Sequence, residues 1–458
     1  MDSKDEKVPP ADSQSVEKSE PEVHRDWRHR LLEWSVEARG IRPVSFEERT
    51  DPQYSKIFFI WFSASINLLP FSTGSLGPIA YGLSVRDSCL IILFFNLICC
   101  LPPGYLSTWG PKLGLRQMVQ ARYSFGYFGV IAPVLLNLMG MTGFCILDCI
   151  LGGQTLAAVA DGNLSWSIGI VIIAVVSLLI SFCGWRILHW IILGMNGVAW
   201  IPIVIIFLIA VGLGGKDFQH VPPGEPATAP TILSFAAVIA GFVLTWSPPR
   251  VRFYKRIFLY SYFGLVLPTV AMQCFGALIG ACLVSVPAWE AGNDSGGVGG
   301  VLDAMLSPAK GFGKFLTVLL ALSVTGNVAA TLYSISLNLQ LLMPVLVVVP
   351  RYVFPILATA IAFIAIVLEE HFLFRKGDAA LYNLADWNTP SKLPSGAAAI
   401  LAGMCGIGIA IPSMAQVWYT GPIAETTGDI GFELAFVVTM VVYPPLRLLE
   451  RRVRNNRV

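Results

Sequence analysis

The sequence predicts an all-α polytopic membrane protein. Hydrophobic residues make up 55% of the 458 positions and charged residues 13%, against roughly 25% charged in an average soluble domain. Apolar stretches of about 20 residues, the length that crosses ~30 Å of hydrocarbon, recur from Lys56 to Tyr443. These stretches are apolar on every side, whereas a soluble helix shows one apolar stripe.

Taken in order, residues 1–55 read as a polar N-terminal tail without an apolar core and small-residue cleavage site, so the first membrane helix is expected to direct insertion. Within this tail, RDWRHRLLEW sets Trp27, Leu31 and Trp34 on one helical face beside arginines. That pattern suits a helix lying on the membrane surface and equally a solvated tail helix. Helices are then expected near 57–82, 88–107, 126–158, 166–184, 188–213, 231–248, 257–286, 313–345, 351–373, 395–416 and 430–447, eleven in all. Residues 56–447 are expected to form one transmembrane domain, and 448–458 a basic tail.

Charge orients these crossings. The N-terminal tail, the loop with Lys112, Arg116 and Arg122, the loop with Arg250, Arg252, Lys255 and Arg256, and the C-terminal RLLERRVRNNRV are basic. By the positive-inside rule all face the cytoplasm. Two cytoplasmic termini require an even number of crossings, and eleven is odd. The alternation holds through Arg351, so the fault lies beyond it: either 351–373 conceals a second short pass or about one crossing is missing. The net charge of +2 names no partner, because topology distributes the charges. Nine cysteines without metal-like spacing read as buried free thiols.

Two segments should not run as plain helices. SINLLPFSTGSLGP, 65–78, carries Pro70, Gly74, Gly77 and Pro78, and AGFVLTWSPPRVRF, 240–253, carries Gly241, Pro248 and Pro249. Non-helical backbone at membrane depth is tolerated only where protein or a water-filled cavity satisfies it. The first crossing is therefore expected to be two half-helices joined across Pro70 to Pro78, and the sixth to break after Trp246. Interruptions five crossings apart point to a binding site between inverted repeats.

The wording SKIFFIWFSASINLLPFSTGSLGP, GLRQMVQARYSFGYFGVIAPVLLNL, TGFCILDCILGGQTLAAV, FVLTWSP, AIVLEEHFLFRKG and DWNTPSKLPSG resembles the fungal purine–cytosine permeases of the nucleobase:cation symporter family, from about Val23 to Arg447. The resemblance implies a five-plus-five inverted-repeat transporter fold with broken helices one and six, followed by two further helices. It also implies proton-driven uptake of purines and cytosine across the plasma membrane. Elementary chemistry agrees with that cargo. A nucleobase offers a flat face for stacking and a hydrogen-bonding edge that rejects mismatched partners.

Candidate site residues follow. Phe144 and Asp148 are four apart and share a helical face. Relatives usually place a tryptophan and an asparagine or glutamine there, so Phe144 is expected to stack and Asp148 to meet the base edge. Asp148 is the sharper departure, since an ionised carboxylate at the centre of a membrane helix costs roughly 2.5–3.5 kcal/mol. It should face the cavity or be protonated. Accepting from a cytosine or adenine amino group, carrying the coupled proton, or standing as a tolerated substitution all remain open for it.

Trp246 stands where relatives keep a tryptophan and is expected to be the second stacking wall. Ser72 and Ser75 either donate to substrate or cap the half-helix ends. Asn327, Thr331 and Ser334 fall at i, i+4 and i+7, a polar stripe that serves either the substrate or a neighbouring helix. Glu369, Glu370 and His371 lack the further ligand a metal would need and read as a cytoplasmic cap.

The chain departs from the family pattern at three places. Helix six lacks most of its second half, helix eight lacks a Pro-Asn signature, and helix nine passes into the end of helix ten near Ala360 to Leu368. The last gap coincides with the missing crossing found from charge. An enzyme would need a nucleophile–base pair or metal ligands within the bilayer, and the sequence offers neither. The alternatives to nucleobase uptake are a paralogue that binds without transporting, and a permease for another heterocycle such as pyridoxine. No cofactor, metal or nucleic acid is expected, and oligomeric state is left open. The partners are a nucleobase, a proton and the lipid bilayer.

Overall fold

A computed structural model describes residues 55–108, 114–115, 117–161, 163–182, 200–215, 226–244, 254–342, 393–416 and 419–453, with single positions at 218, 221 and 224. The helices are α1 (Ser55–Ser65), α2 (Leu68–Tyr81), α3 (Val85–Cys99), α4 (Leu101–Leu106), α5 (Gln117–Gln120), α6 (Arg122–Gly129), α7 (Ile131–Val159) and α8 (Trp166–Phe182). They continue as α9 (Trp200–Gly214), α10 (Ala229–Leu244), α11 (Tyr254–Cys282), α12 (Pro287–Leu306), α13 (Lys310–Leu342), α14 (Ala397–Ala410), α15 (Ala424–Thr427) and α16 (Gly431–Val453). A two-residue hairpin pairs Ala415–Gln416 with Tyr419–Thr420. Among the described residues, five helical stretches are long and apolar enough to span a membrane, or six counting the bent pair α1–α2.

The predicted break in the first crossing is present but displaced. α1 and α2 meet at 54°, and the bend falls at Ser65–Leu68, before Pro70. Asn67 is extended (φ −159°, ψ −173°) and caps α2, its side-chain oxygen accepting from the Leu69 amide at 2.8 Å. Pro70 lies in the first turn of α2, where a missing N–H costs no helical bond. Gly74 continues the helix and lets it approach α11. A Cβ on Gly74 would stand 1.9 Å from the Gln273 carbonyl oxygen, and one on Gly276 the same distance from that of Phe71. These glycines serve close helix contact, so expecting them to turn the chain misplaced the break.

The other predicted crossings map onto the described helices with two further differences. The helix expected over 126–158 is interrupted between Gly129 and Ile131, with Gly126 at φ 74° inside α6. The stretch around Glu290 to Asp303, expected to be a loop, forms α12, which turns at Gly297 (φ 57°) and packs on α7. Its many glycines disfavour a helix in isolation, and contact with α7 overrides that preference. The expected helix at 351–373, the break after Trp246 and the missing crossing lie outside the described residues.

The helices pack in groups. α11 lies along α1, α2 and α3, and α10 lies along α3. Within this group Asn96 Nδ2 donates to Gln273 Oε1 at 2.7 Å, and the Tyr262 hydroxyl donates to the Leu97 carbonyl at 2.9 Å. α7 lies along α13, α8 and α12 in a second group, where Lys314 pairs with Asp161 at the helix ends. α14 and α16 form a third, with α6 against α14. There Glu450 accepts from Ser395 Oγ and from the Gly396 amide at 3.2 Å, and Arg447 Nη1 donates to its other oxygen at 2.9 Å.

The glycine contacts give a direct test. Gly74→Val and Gly276→Val should each cost about 1–3 kcal/mol through overpacking and lower the yield of monodisperse protein on size exclusion. Gly140→Val and Gly403→Val, with nothing within 4 Å of a Cβ, should behave as the parent.

Candidate functional site

The break exposes the carbonyl end of α1 inside the protein. The Ala64 carbonyl, which an uninterrupted helix would occupy, accepts from Asn67 Nδ2 at 2.7 Å and from Asn327 Nδ2 of α13 at 3.0 Å. One asparagine thus joins the two half-helices, and the other ties the break to α13 in the second group. Both are buried, at 1% and 6% exposure.

α7 and α13 run antiparallel. Cys145 lies 4.0 Å from the Val328 carbonyl, Gly152 packs on Val324, and Asn137 bonds Asn338 at 2.7 Å. This register sets Asp148 level with Asn327. Asp148 is 3% exposed, and its Oδ1 has no hydrogen-bond partner among the described residues. A buried carboxylate oxygen without a donor is costly unless a ligand or proton supplies one. One turn away, Phe144 is half-buried and meets Phe242 of α10 edge-to-face, with ring centroids 6.4 Å apart at 82°. Thr331, also half-buried, follows Asn327 by one turn on α13.

The structure therefore brings Phe144, Asp148, Asn327 and Thr331 to one seam beside the α1–α2 break. Neither Ser72 nor Ser75 caps a half-helix end, since Asn67 does so. Ser75 is buried, donates to the Ser72 carbonyl at 2.8 Å, and has its backbone against Gly276 and Gly280 of α11. Ser72 is half-buried on the next position around α2. Trp246 lies outside the described residues, two beyond the end of α10. Sequence reasoning missed Asn67 and Phe242. The signal for Asn67 was present, since an asparagine three residues before Pro70 is a strong helix start, whereas nothing in the sequence says that Phe242 meets α7. The described residues contain no group of three His, Cys, Asp or Glu side chains able to hold a metal ion.

Comparison with known proteins gives consistent matches. The family model described as permease for cytosine/purines, uracil, thiamine, allantoin matches residues 43–385. The purine-cytosine permease fcyB of Emericella nidulans is 31% identical, covering 91% of this chain and 89% of that protein. The purine-cytosine permease FCY2 of Saccharomyces cerevisiae is 30% identical over 96% and 91% respectively. The vitamin B6 transporter TPN1 of the same yeast is 27% identical over 91% and 88%. Among solved structures, Mhp1, a nucleobase-cation-symport-1 family transporter in a closed conformation with bromovinylhydantoin bound, superposes with a TM-score of 0.63 at 15% identity. That match covers 91% of this chain and 96% of Mhp1. The two chains share a fold.

The shared carbonyl generates a thermodynamic expectation. Asn67→Ala should cost about 1 kcal/mol as a lost helix cap, and Asn327→Ala about 0.6–2 kcal/mol as a lost interhelical bond. Because both amides bond one acceptor, the double variant should deviate from additivity by at least about 0.5 kcal/mol in unfolding titrations in mixed micelles.

Proposed function

The chain belongs to the family of permeases for cytosine/purines, uracil, thiamine and allantoin, and on that footing we propose that it takes up purine nucleobases and cytosine across the plasma membrane in symport with protons. It is a multi-pass membrane transporter, not an enzyme. The observation that carries the cargo reading is Asp148, a buried carboxylate with an unpartnered oxygen one turn from a half-buried aromatic ring. A planar base stacks on Phe144, against Trp246 on its other face, for roughly 1–3 kcal/mol per base. Its exocyclic amino group donates to Asp148. Asn327, Thr331 and Ser72 are the further hydrogen-bonding groups of the site, while Ser75 supports the α2–α11 contact.

Asp148 is also the coupling group. A carboxyl sealed from water exchanges a proton only when the pocket opens, so loading it on the outer side and emptying it on the inner side ties proton entry to base entry. The break favours this choice of ion. Carbonyls of unwound helices are common cation ligands, and here the Ala64 carbonyl already accepts two amide hydrogen bonds. In this reading access alternates as the α1–α2–α3–α10–α11 group moves against the α7–α8–α12–α13 group. Both termini face the cytoplasm in this reading, which agrees with the basic loops. Pyridoxine is the second candidate cargo, on the strength of the vitamin B6 transporter among the relatives.

Cells lacking their own uptake and expressing this chain should accumulate labelled cytosine or adenine faster at acidic than at neutral pH. Excess unlabelled purine should compete, and pyridoxine should not. No accumulation at any pH, with surface expression confirmed, overturns the reading. Asp148→Asn should keep binding within about tenfold, a difference of roughly 1.4 kcal/mol, while abolishing both accumulation and its pH dependence.

A further inference from the structure

The polar stripe read from the sequence as Asn327, Thr331 and Ser334 continues to Asn338, and α7 carries a matching one. Asn137, Met141, Phe144 and Asp148 fall at i, i+4, i+7 and i+11 on one face of α7. Because the two helices are antiparallel, the stripes face one another along their length. They end at an amide pair, with Asn338 Nδ2 donating to Asn137 Oδ1 at 2.7 Å and lying 3.5 Å from the Met141 sulfur. At 1.5 Å per residue the pair stands about 16 Å along α7 from Asp148, toward the end where α7 begins. That end is cytoplasmic under the proposed topology.

We propose that Asn137 and Asn338 form a second hydrogen-bonding station for the nucleobase edge, which the base meets between the Asp148 site and the cytoplasm. This inference rests on the nucleobase reading above. Once the amides have bonded each other, Asn137 Nδ2 and Asn338 Oδ1 remain, neither with a partner among the described residues. They present a donor beside an acceptor, the pattern complementary to the edge of cytosine or adenine.

Access separates this pair from a structural staple. The Asn96–Gln273 pair makes the same 2.7 Å bond between α3 and α11, and both its residues are 0% exposed. Asn137 and Asn338 are only half-buried, as are Met141, Phe144 and Thr331, whereas Asp148 and Asn327 are buried. Burial is therefore complete at Asp148 and Asn327 and partial from Phe144 and Thr331 to the asparagines. At Phe144 this face turns toward α10. The stripe shares its face with Phe144, which touches Phe242 of α10, while Ile146, on the opposite side of α7, is 53% exposed.

Departure of the base from Asp148 breaks hydrogen bonds inside a low-dielectric seam, and an amide pair that re-forms them lowers the barrier to release. The pair thus acts on the rate of passage and not on affinity at the main site.

The test measures labelled cytosine binding to purified transporter and uptake into proteoliposomes, each normalised to folded protein. Asn338→Leu and Asn137→Leu keep the side-chain volume and remove the polar edge. Each should hold the cytosine Kd within about twofold while lowering the maximal uptake rate roughly tenfold, a transition-state effect. The double variant should be no slower than either single one, because the two amides act as one unit. If the leucine variants do not fold, Asn338→Ser breaks the pair while remaining polar, and should lower the ratio of uptake rate to binding. Unchanged normalised uptake, with a lowered melting temperature as the sole effect, makes the pair a staple and overturns the station alone. Parent protein that neither binds nor transports cytosine or adenine overturns the nucleobase reading and the station with it.

Discussion

Within a bilayer every backbone N–H and C=O must find its partner inside the protein, and the molecule is organised around the place where the helical ladder stops supplying one. Between Ser65 and Leu68 the chain leaves one helix and enters another. Asn67 serves both ends, its oxygen on the Leu69 amide and its nitrogen on the Ala64 carbonyl. Asn327 reaches the same carbonyl from α13. The acceptor belongs to one packing group and this second donor to the other. The interruption is therefore also a point at which the two groups hold each other.

The interior of the first group and the α7–α13 seam of the second, which α2 and α10 face, are built differently. Inside the first group, glycines bring backbone against backbone, as at Gly74 and Gly276, and amide bonds such as Asn96–Gln273 are fully buried. The seam instead carries aromatic edges, half-buried hydroxyls and amides, and one sealed carboxylate. A displacement of the two groups would slide α2 and α10 past this seam and leave the tight glycine contacts inside each group intact. Close-packed cores resist gradual deformation, so motion concentrates at such boundaries.

Much of this was legible in the sequence, because the membrane constraint acts on long runs of residues. Apolar length located most crossings, and the Phe144–Asp148 spacing placed both residues on one helical face. The break was legible as a fact but not as a position. Pro70, Gly74 and Pro78 drew attention as helix breakers, yet Pro70 sits in a first turn that tolerates it and Gly74 serves a contact with α11. The residue that ends one half-helix and starts the next is Asn67, whose role depends on a carbonyl three residues earlier in the chain. α12 was illegible for the opposite reason: its composition argues for a loop, and only contact with α7 makes it helical. Phe242 required knowing that α10 faces α7, which spacing along the chain does not encode.

The Glu450 carboxylate accepts from the amide of Gly396, the N-cap of α14, which has no side chain of its own to cap the helix. Arg447 neutralises that charge in a site from which water is excluded. Residues 448–453 are thus no free tail: they complete α16, and Glu450 among them holds the start of α14. A truncation that removes Glu450 takes this anchor from α14, and with it steadiness from the surface α6 leans on.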